Sequence, residues 1–405
     1  MTAMARSAPD PRPNARPIYL DYQATTPVDP RVLEAMLPWF TEKFGNPGSV
    51  THSYGREAEA AVERARAQVA ALIGAEAREI VFTSGATEAN NLALKGAARF
   101  HRDERDHIVA LATEHKCVLE SARALEREGF RVTILPVEPD GLVDLATLEA
   151  ALGERTSVVS VMAAHNEIGV LQPLAEIGAL CRARGILFHT DAAQAFGKIP
   201  LDVDAMAIDL LSVSGHKTYG PKGVGALYVR RRTRARIAPL LDGGGQERGL
   251  RSGTLPTPLI VGLGEAAEIA GNEMRGEAER LLALRERFLS GIRAAVPSVR
   301  LNGDPVRRLP ANLNLTFPGI GALELMEACQ GLALSTGSAC TAAEVEPSYV
   351  LRALGVSDEL GRSSLRIGLG RFTSERDVDF AVDALSAAVR WLQSRPVKSR
   401  SGAAI

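Results

Sequence analysis

The sequence is short of several things, and each shortage closes off a class of function. Cysteine is scarce: Cys117, Cys181, Cys329 and Cys340 lie far apart, and no two stand in a Cys-x-x-Cys pair. That argues against a disulfide framework or a structural zinc site, so no metal is expected, and it fits a reducing, cytoplasmic compartment. No apolar run approaches the ~20 residues that a membrane-crossing helix needs, so no membrane association is expected. Surplus charge is also missing. With a formal net charge of −1 the chain sets up no general field for nucleic acid or an anionic membrane. Its one concentrated basic run, Arg230 to Arg236, holds five arginines and reads as a solvated loop sooner than as a phosphate patch.

What is present is a globular composition, 46% hydrophobic and 23% charged, on 405 residues. That length is too great for one ordinary core, so two domains are expected. Residues 1–16 are rich in Pro and Arg, lack an apolar stretch for secretion, and include Asp10, which weakens a case for organelle import. They read as a flexible leader. From Ile18 the chain enters through a short β-like segment, then helical spacing from Pro30 to Phe40 and a longer amphipathic helix from Tyr54 to Gly74. Strand and helix patterns then alternate. Glu79 to Phe82, His107 to Ala112, Phe130 to Val137, Ser157 to Ala163 and Ile186 to Thr190 read as strands, with helices between them.

Alternating units with apolar strands imply a mainly parallel sheet sandwiched by helices, the α/β class. A long helix from about Leu259 to Val296 leads into a smaller α+β region. The expected division is a large domain over residues 17–258, a small domain over 259–393 and a disordered tail over 394–405.

The stretch Asp209 to Val229 reads as strand, exposed loop, strand, with Lys217 in the loop. Taken alone, Lys217 is an ordinary turn lysine. The turn Thr83 to Glu88 joins a strand to a helix start, which presents free N–H groups and a positive helix end to a phosphate. It is neither a Walker motif nor a dinucleotide fingerprint, and a plain N-cap by Ser84 or Thr87 explains it nearly as well. Ligands in such sheets bind beyond the carboxyl ends of the strands. Those ends carry Ser84 to Thr87, His115, Asn166, Asp191 and Gln194. Together they supply what a pyridoxal phosphate enzyme needs: a lysine for the Schiff base, a carboxylate to keep the pyridine nitrogen protonated, and donors for one phosphate.

The segments Tyr19 to Pro27, Phe82 to Glu88, Thr113 to Lys116, Asn166 to Gly169, His189 to Gln194, Ser214 to Lys217, Arg251 to Thr254 and Ser338 to Cys340 resemble a cysteine desulfurase. The resemblance is to the class V aminotransferase group of fold-type I pyridoxal phosphate enzymes, in the type that serves iron–sulfur cluster assembly. It spans about Ile18 to Leu392. It implies that Lys217 carries the cofactor and moves the substrate Cα proton, that Asp191 pairs with the ring nitrogen, and that Gln194 hydrogen-bonds the phenolic oxygen. His115 would stack on the ring and assist proton transfer. Ala86, Thr87, Ser214 and His216 would hold the phosphate, with Thr254 reaching across from a second subunit of a homodimer. Asn166 and Arg366 would orient L-cysteine, Arg366 by clamping its carboxylate. Cys340 would take the sulfur as a persulfide, leaving L-alanine, and pass it to a cluster scaffold or another acceptor.

The chain departs from that pattern in places. His165 stands where an asparagine is usual, Val50 replaces a common arginine, and the residues after Cys340 and around Gly319 to Ala322 differ. The end of the chain, Ser394 to Ile405, lacks the extension that contacts the scaffold in the family, which leaves the acceptor open. Two other readings are weighed. Another reaction of the same cofactor, selenocysteine lysis or transamination, need not depend on Cys340. A non-catalytic homologue that binds a partner would not need Lys217.

Overall fold

The computed structural model describes residues 16–231, 236–336 and 347–395. The leader up to residue 15, most of the arginine run after Arg231, the segment carrying Cys340 and the tail after Arg395 lie outside the described residues. Strand β1 (Ile18–Tyr19) is followed by β2 (Ile80–Thr83), β3 (His107–Leu111), β4 (Arg131–Leu135), β5 (Thr156–Ser160), β6 (Leu187–Asp191), β7 (Leu210–Ser214) and β8 (Gly225–Val229). Beyond the long helix Thr257–Ala295 come β9 (Arg300–Leu301), β10 (Asn312–Thr316), β11 (Leu332–Ala333) and β12 (Ser364–Gly368).

Strands β2 to β8 form one sheet in the order β2-β8-β7-β6-β5-β3-β4. Pairings among β7, β6, β5, β3 and β4 are parallel, and β8 runs antiparallel to both its neighbours. The sheet is therefore mainly parallel, as the apolar strands predicted. Because side chains alternate across a strand, successive residues enter different cores. Ile108, Val158, Leu210 and Leu227 pack with the helix Ala86–Phe100, whereas Val109, Val159, Leu211 and Tyr228 pack with Val62, Ile177 and Ile260 on the opposite face. Helices thus cover both faces. Of the two edge strands, β4 is partly exposed, whereas β2 is buried throughout.

A second core surrounds the antiparallel sheet β12-β10-β9, and the helix Glu375–Gln393 packs there through Val378, Ala381 and Leu385. The helix Thr257–Ala295 serves both cores: Ile260, Leu263 and Ala267 belong to the first, and Leu281, Leu284, Phe288 and Ile292 to the second. At Gly264 an added Cβ would lie 2.6 Å from the Ala65 backbone, so only glycine permits this close helix crossing. Ile18 and Leu20 also enter the second core, where β1 pairs with β11. The helical pattern from Pro30 to Phe40 resolves into two helices, Pro30–Met36 and Pro38–Thr41, because Pro38 has no N–H to continue the first. No helix among the described residues is long and apolar enough to cross a membrane.

Candidate active site

The carboxyl ends of the strands open onto one cleft of about 500 Å³. At the end of β2 the chain turns through Gly85, with φ 150°, into the helix Ala86–Phe100. The Ser84 N–H donates to Glu88 Oε2 at 2.8 Å, which fixes the turn. Glu88 is in turn gripped by Arg251, Nε to Oε1 at 2.8 Å. Burial pushes the Glu88 pKa up, but the bonds from Arg251 and Ser84 outweigh it and hold the carboxyl below its ordinary range. The turn crosses close over β8. A Cβ at Gly225 would stand 2.6 Å from Gly85 Cα and 2.3 Å from the Val213 carbonyl oxygen, so the helix N-terminus can sit this near the sheet only over glycine.

Asp191, the last residue of β6, is 5% exposed. Its Oδ2 accepts from Asn90 Nδ2 at 2.7 Å and its Oδ1 from the Ala193 N–H at 2.9 Å. After β7 a single 3₁₀ turn, Gly215–Lys217, presents the lysine. Lys217 Nζ donates to the carbonyls of Gln23 and Ala24, both at 2.7 Å. The same N-terminal segment holds His216, whose Nδ1 lies 3.0 Å from Thr25 Oγ1. Burial, with Lys217 and Lys222 nearby, drives His216 down to about 4, so it is neutral near pH 7.

His115 caps the helix Lys116–Arg127, its Nδ1 accepting the Cys117 N–H at 3.2 Å. Burial lowers its pKa, and Asp191 opposes that. A neutral ring with Nδ1 as acceptor carries its proton on Nε2. Cys117 lies 3.0 Å from the same nitrogen, and burial lifts its thiol to about 12. Cys181 and Cys329 are raised to about 12 for the same reason. These three thiols are therefore protonated near pH 7, which makes them poor nucleophiles.

Asn166 and Glu167 follow β5 on a turn organised by His165, which accepts the N–H groups of Glu167 and Ile168 on Nδ1 and binds the Thr113 carbonyl through Nε2 at 2.8 Å. From the second core, β12 brings Arg366 to the same place. Its Nη2 meets Asp21 Oδ1 at 2.7 Å and its Nη1 the Asn166 carbonyl at 3.0 Å, while its Nε has no hydrogen-bond partner among the described residues. Glu167 is buried beside it with Oε1 likewise unpartnered, and desolvation lifts its carboxyl to about 7.

The cleft thus gathers Ala86, Thr87, His115, Asn166, Asp191, Gln194, Ser214, His216, Lys217 and Arg366. Thr254 does not line it. That residue is exposed, on a separate depression of about 240 Å³ beside Asn46 and Gln246. Cys340 lies outside the described residues. Several residues in or beside the cleft were not singled out from sequence: Asn90, the carbonyls of Gln23 and Ala24, Asp21, Glu167 and Lys198. Asn90 offered a faint signal, since asparagine is a poor interior residue in an otherwise apolar helix.

The donor set suits pyridoxal phosphate. A primary amine, a buried carboxylate and a helix N-terminus, spaced around one cleft, match the aldehyde, ring nitrogen and phosphate of that molecule. The backbone at Ala86 and Thr87, where the helix starts, and the guanidinium of Arg366 line the cleft and are donors that such a ligand would meet.

Comparison with known proteins agrees. Residues 18–380 match the family model described as aminotransferase class V. The chain is 57% identical over 378 residues to the cysteine desulfurase IscS of Rickettsia rickettsii, covering 93% of this chain and 92% of that protein. Against the enzyme of the same name from Rickettsia bellii the identity is 58% over 377 residues, with the same coverage. Among solved structures, a NifS-like protein superposes with a TM-score of 0.86 at 37% identity, over 93% of this chain and all (100%) of the other. SspA in complex with cysteine gives 0.79 at 42% identity, over 88% of this chain and 100% of its own.

Proposed function

The chain belongs to the class V aminotransferase family, and from that footing we propose the following assignment of its chemistry. It is a pyridoxal phosphate-dependent cysteine desulfurase, converting L-cysteine to L-alanine and mobilising the sulfur. The observation that carries the site assignment is the meeting of Lys217, Asp191 and the Ser84 to Thr87 helix start on one cleft, with Arg366 facing them from the second core.

In this reading Ala86, Thr87, Ser214 and His216 hold the phosphate, Asp191 pairs with the ring nitrogen and keeps it protonated, and Gln194 donates to the phenolic oxygen. The bound cofactor supplies an electron sink that makes bonds at the substrate Cα and Cβ breakable. Asn90 and the Ala193 N–H aim the Asp191 carboxylate. Arg366 clamps the substrate carboxylate, with Asp21 and the Asn166 carbonyl setting the plane of its guanidinium. Lys217 Nζ takes the Cα proton, and His115, neutral and with its proton on Nε2, assists proton transfer near the sulfur. Cys340 forms an S–S bond with the substrate sulfur as the substrate's Cβ–S bond breaks. The carbon product gains protons and leaves as L-alanine, and Cys340 keeps a persulfide, so cysteine plus thiol becomes alanine plus persulfide.

Delivery to an iron–sulfur scaffold in the cytoplasm, and a homodimer in which the exposed Thr254 serves the neighbouring cleft, complete the proposal. Support comes from the family resemblance and from Thr254 standing away from its own chain's cleft. The division into a cofactor-binding body up to residue 258 and a smaller body after it is proposed on the same grounds.

The test is alanine formed from L-cysteine by the purified protein, wild type beside Cys340→Ala, with a reductant to clear the persulfide. Activity lost in the variant, with the cofactor colour kept, is the expected result. Undiminished turnover in Cys340→Ala would remove that thiol from the mechanism.

A further inference from the structure

Lys198 lies four residues after Gln194, at a cavity of about 30 Å³ that also touches Gln23 and Glu277. Its Nζ donates to Gln194 Oε1 at 3.1 Å. On its other end Gln194 donates from Nε2 to the Gln23 carbonyl at 2.8 Å. That carbonyl is one of the two that hold Lys217 Nζ.

A glutamine amide can turn over by half a rotation, exchanging its acceptor for its donor. A lysine ammonium offers only N–H groups at this contact and a carbonyl offers only an acceptor, so Lys198 and Gln23 fix the two ends in the same sense. With Oε1 held by Lys198, the NH₂ group is the end turned to the cleft that Gln194 lines. One of its two hydrogens goes to Gln23, which leaves the other for a ligand. We propose that Lys198 is a positioning residue, locking the Gln194 amide so that a donor, and not an acceptor, meets the phenolic oxygen of the bound cofactor. This rests on the cofactor reading given above.

The surroundings are consistent with it. Burial pulls Lys198 down to about 7, with Lys217 and Arg366 pushing the same way and Glu277 opposing. The ammonium form can only donate to Gln194; the neutral amine still has N–H groups but adds a lone pair, and the Gln23 carbonyl then keeps the amide in this sense.

The test uses the holoenzyme and follows the pH at which the visible absorption of the bound cofactor changes. A lost donor, or an acceptor in its place, destabilises the anionic phenolic oxygen and raises the proton affinity beside it. Lys198→Met is expected to move the midpoint up by about one unit, a tenfold change. Gln194→Ala should move it at least as far, and the double variant no further than Gln194→Ala, because the two act as one unit. Lys198→Arg, which keeps N–H donors, should stay near the wild-type midpoint and guards against misfolding as the cause. An unmoved midpoint in Lys198→Met, or additive shifts in the double variant, would overturn the proposal while leaving Gln194 its role. An unmoved midpoint in Gln194→Ala would sink the donor role of Gln194 and the lock together.

Discussion

Arg251 Nε meets Glu88 Oε1 at 2.8 Å, joining the loop that bears Thr254 to the turn between β2 and the helix Ala86–Phe100. Glu88 also accepts the Ser84 N–H, so one carboxylate shapes the turn that is to receive a phosphate. A bare carboxylate there would repel that phosphate, and Arg251 neutralises it. Arg251→Gln is therefore expected to weaken cofactor retention about tenfold, with ~1.4 kcal/mol lost. Adding Glu88→Gln to it should recover part of that loss, since the repelling charge goes. Cofactor dissociation followed by absorbance checks both, and a double variant no better than Arg251→Gln would refute the electrostatic account.

Arg366 reaches the cleft with Nη1 bonded to the Asn166 carbonyl and Nη2 to Asp21, and its Nε has no partner among the described residues. Lysine would keep the charge but could not reproduce the planar fork that grips a carboxylate. Arg366→Lys should raise the KM for L-cysteine by about tenfold or more, the cost of a charge-assisted hydrogen bond. The midpoint of cofactor absorbance should hardly move, because the change lies on the substrate side. A KM near the wild-type value would free Arg366 from the clamp.

The desolvated carboxyl of Glu167 has a stability signature. Its pKa rises from 4.5 to about 7 in the folded chain, so folding favours its protonated form. That contribution is full below pH 4.5 and is lost as pH rises through about 7, because the unfolded chain then sheds its proton first. The span corresponds to about 3 kcal/mol. Glu167→Gln, which can still accept from the Ser348 hydroxyl, should remove this slope. Thermal unfolding between pH 4.5 and 8 is the check: the variant's margin over wild type should grow as pH rises. A constant margin would mean that Glu167 ionises normally.

The strand ends were legible because the functional residues there stand at or just beyond the end of an apolar run, as Asp191 ends β6 and Lys217 closes the turn after β7. Their supports were not. Asp21 and Arg366 are 345 positions apart in the chain, and Gln23 and Gln194 are 171 apart. No local pattern announces such meetings, since they arise when β1 joins the second core and carries the next residues under the cleft. Backbone carbonyls, which hold Lys217, leave no trace in residue type at all. The long helix was legible despite its glycines, but the reason for Gly264 became visible only with Ala65 packed against it. Glu167 was read as part of a motif, and its desolvation came from the packing around it.

His165, the residue that departs from the family pattern, is built into the turn before Asn166 and Glu167. Nδ1 accepts two N–H groups and Nε2 donates to Thr113. Asparagine could supply the acceptor, but its shorter side chain cannot also reach the Thr113 carbonyl. His165→Asn should therefore cost about 1 kcal/mol near pH 7.5, the worth of one buried hydrogen bond. Acid reverses the comparison. Burial lowers the His165 pKa from 6.5 to about 4, so its stabilising contribution is full above pH 6.5 and is lost as pH falls through about 4, by about 3 kcal/mol in all. Asparagine has no such loss. The variant should be less stable than wild type at pH 7.5 and equal or more stable below about pH 5. Thermal unfolding at the two pH values decides it, and curves that stay parallel would mean that His165 takes up its proton equally in the folded and unfolded chains, which would refute the buried neutral ring.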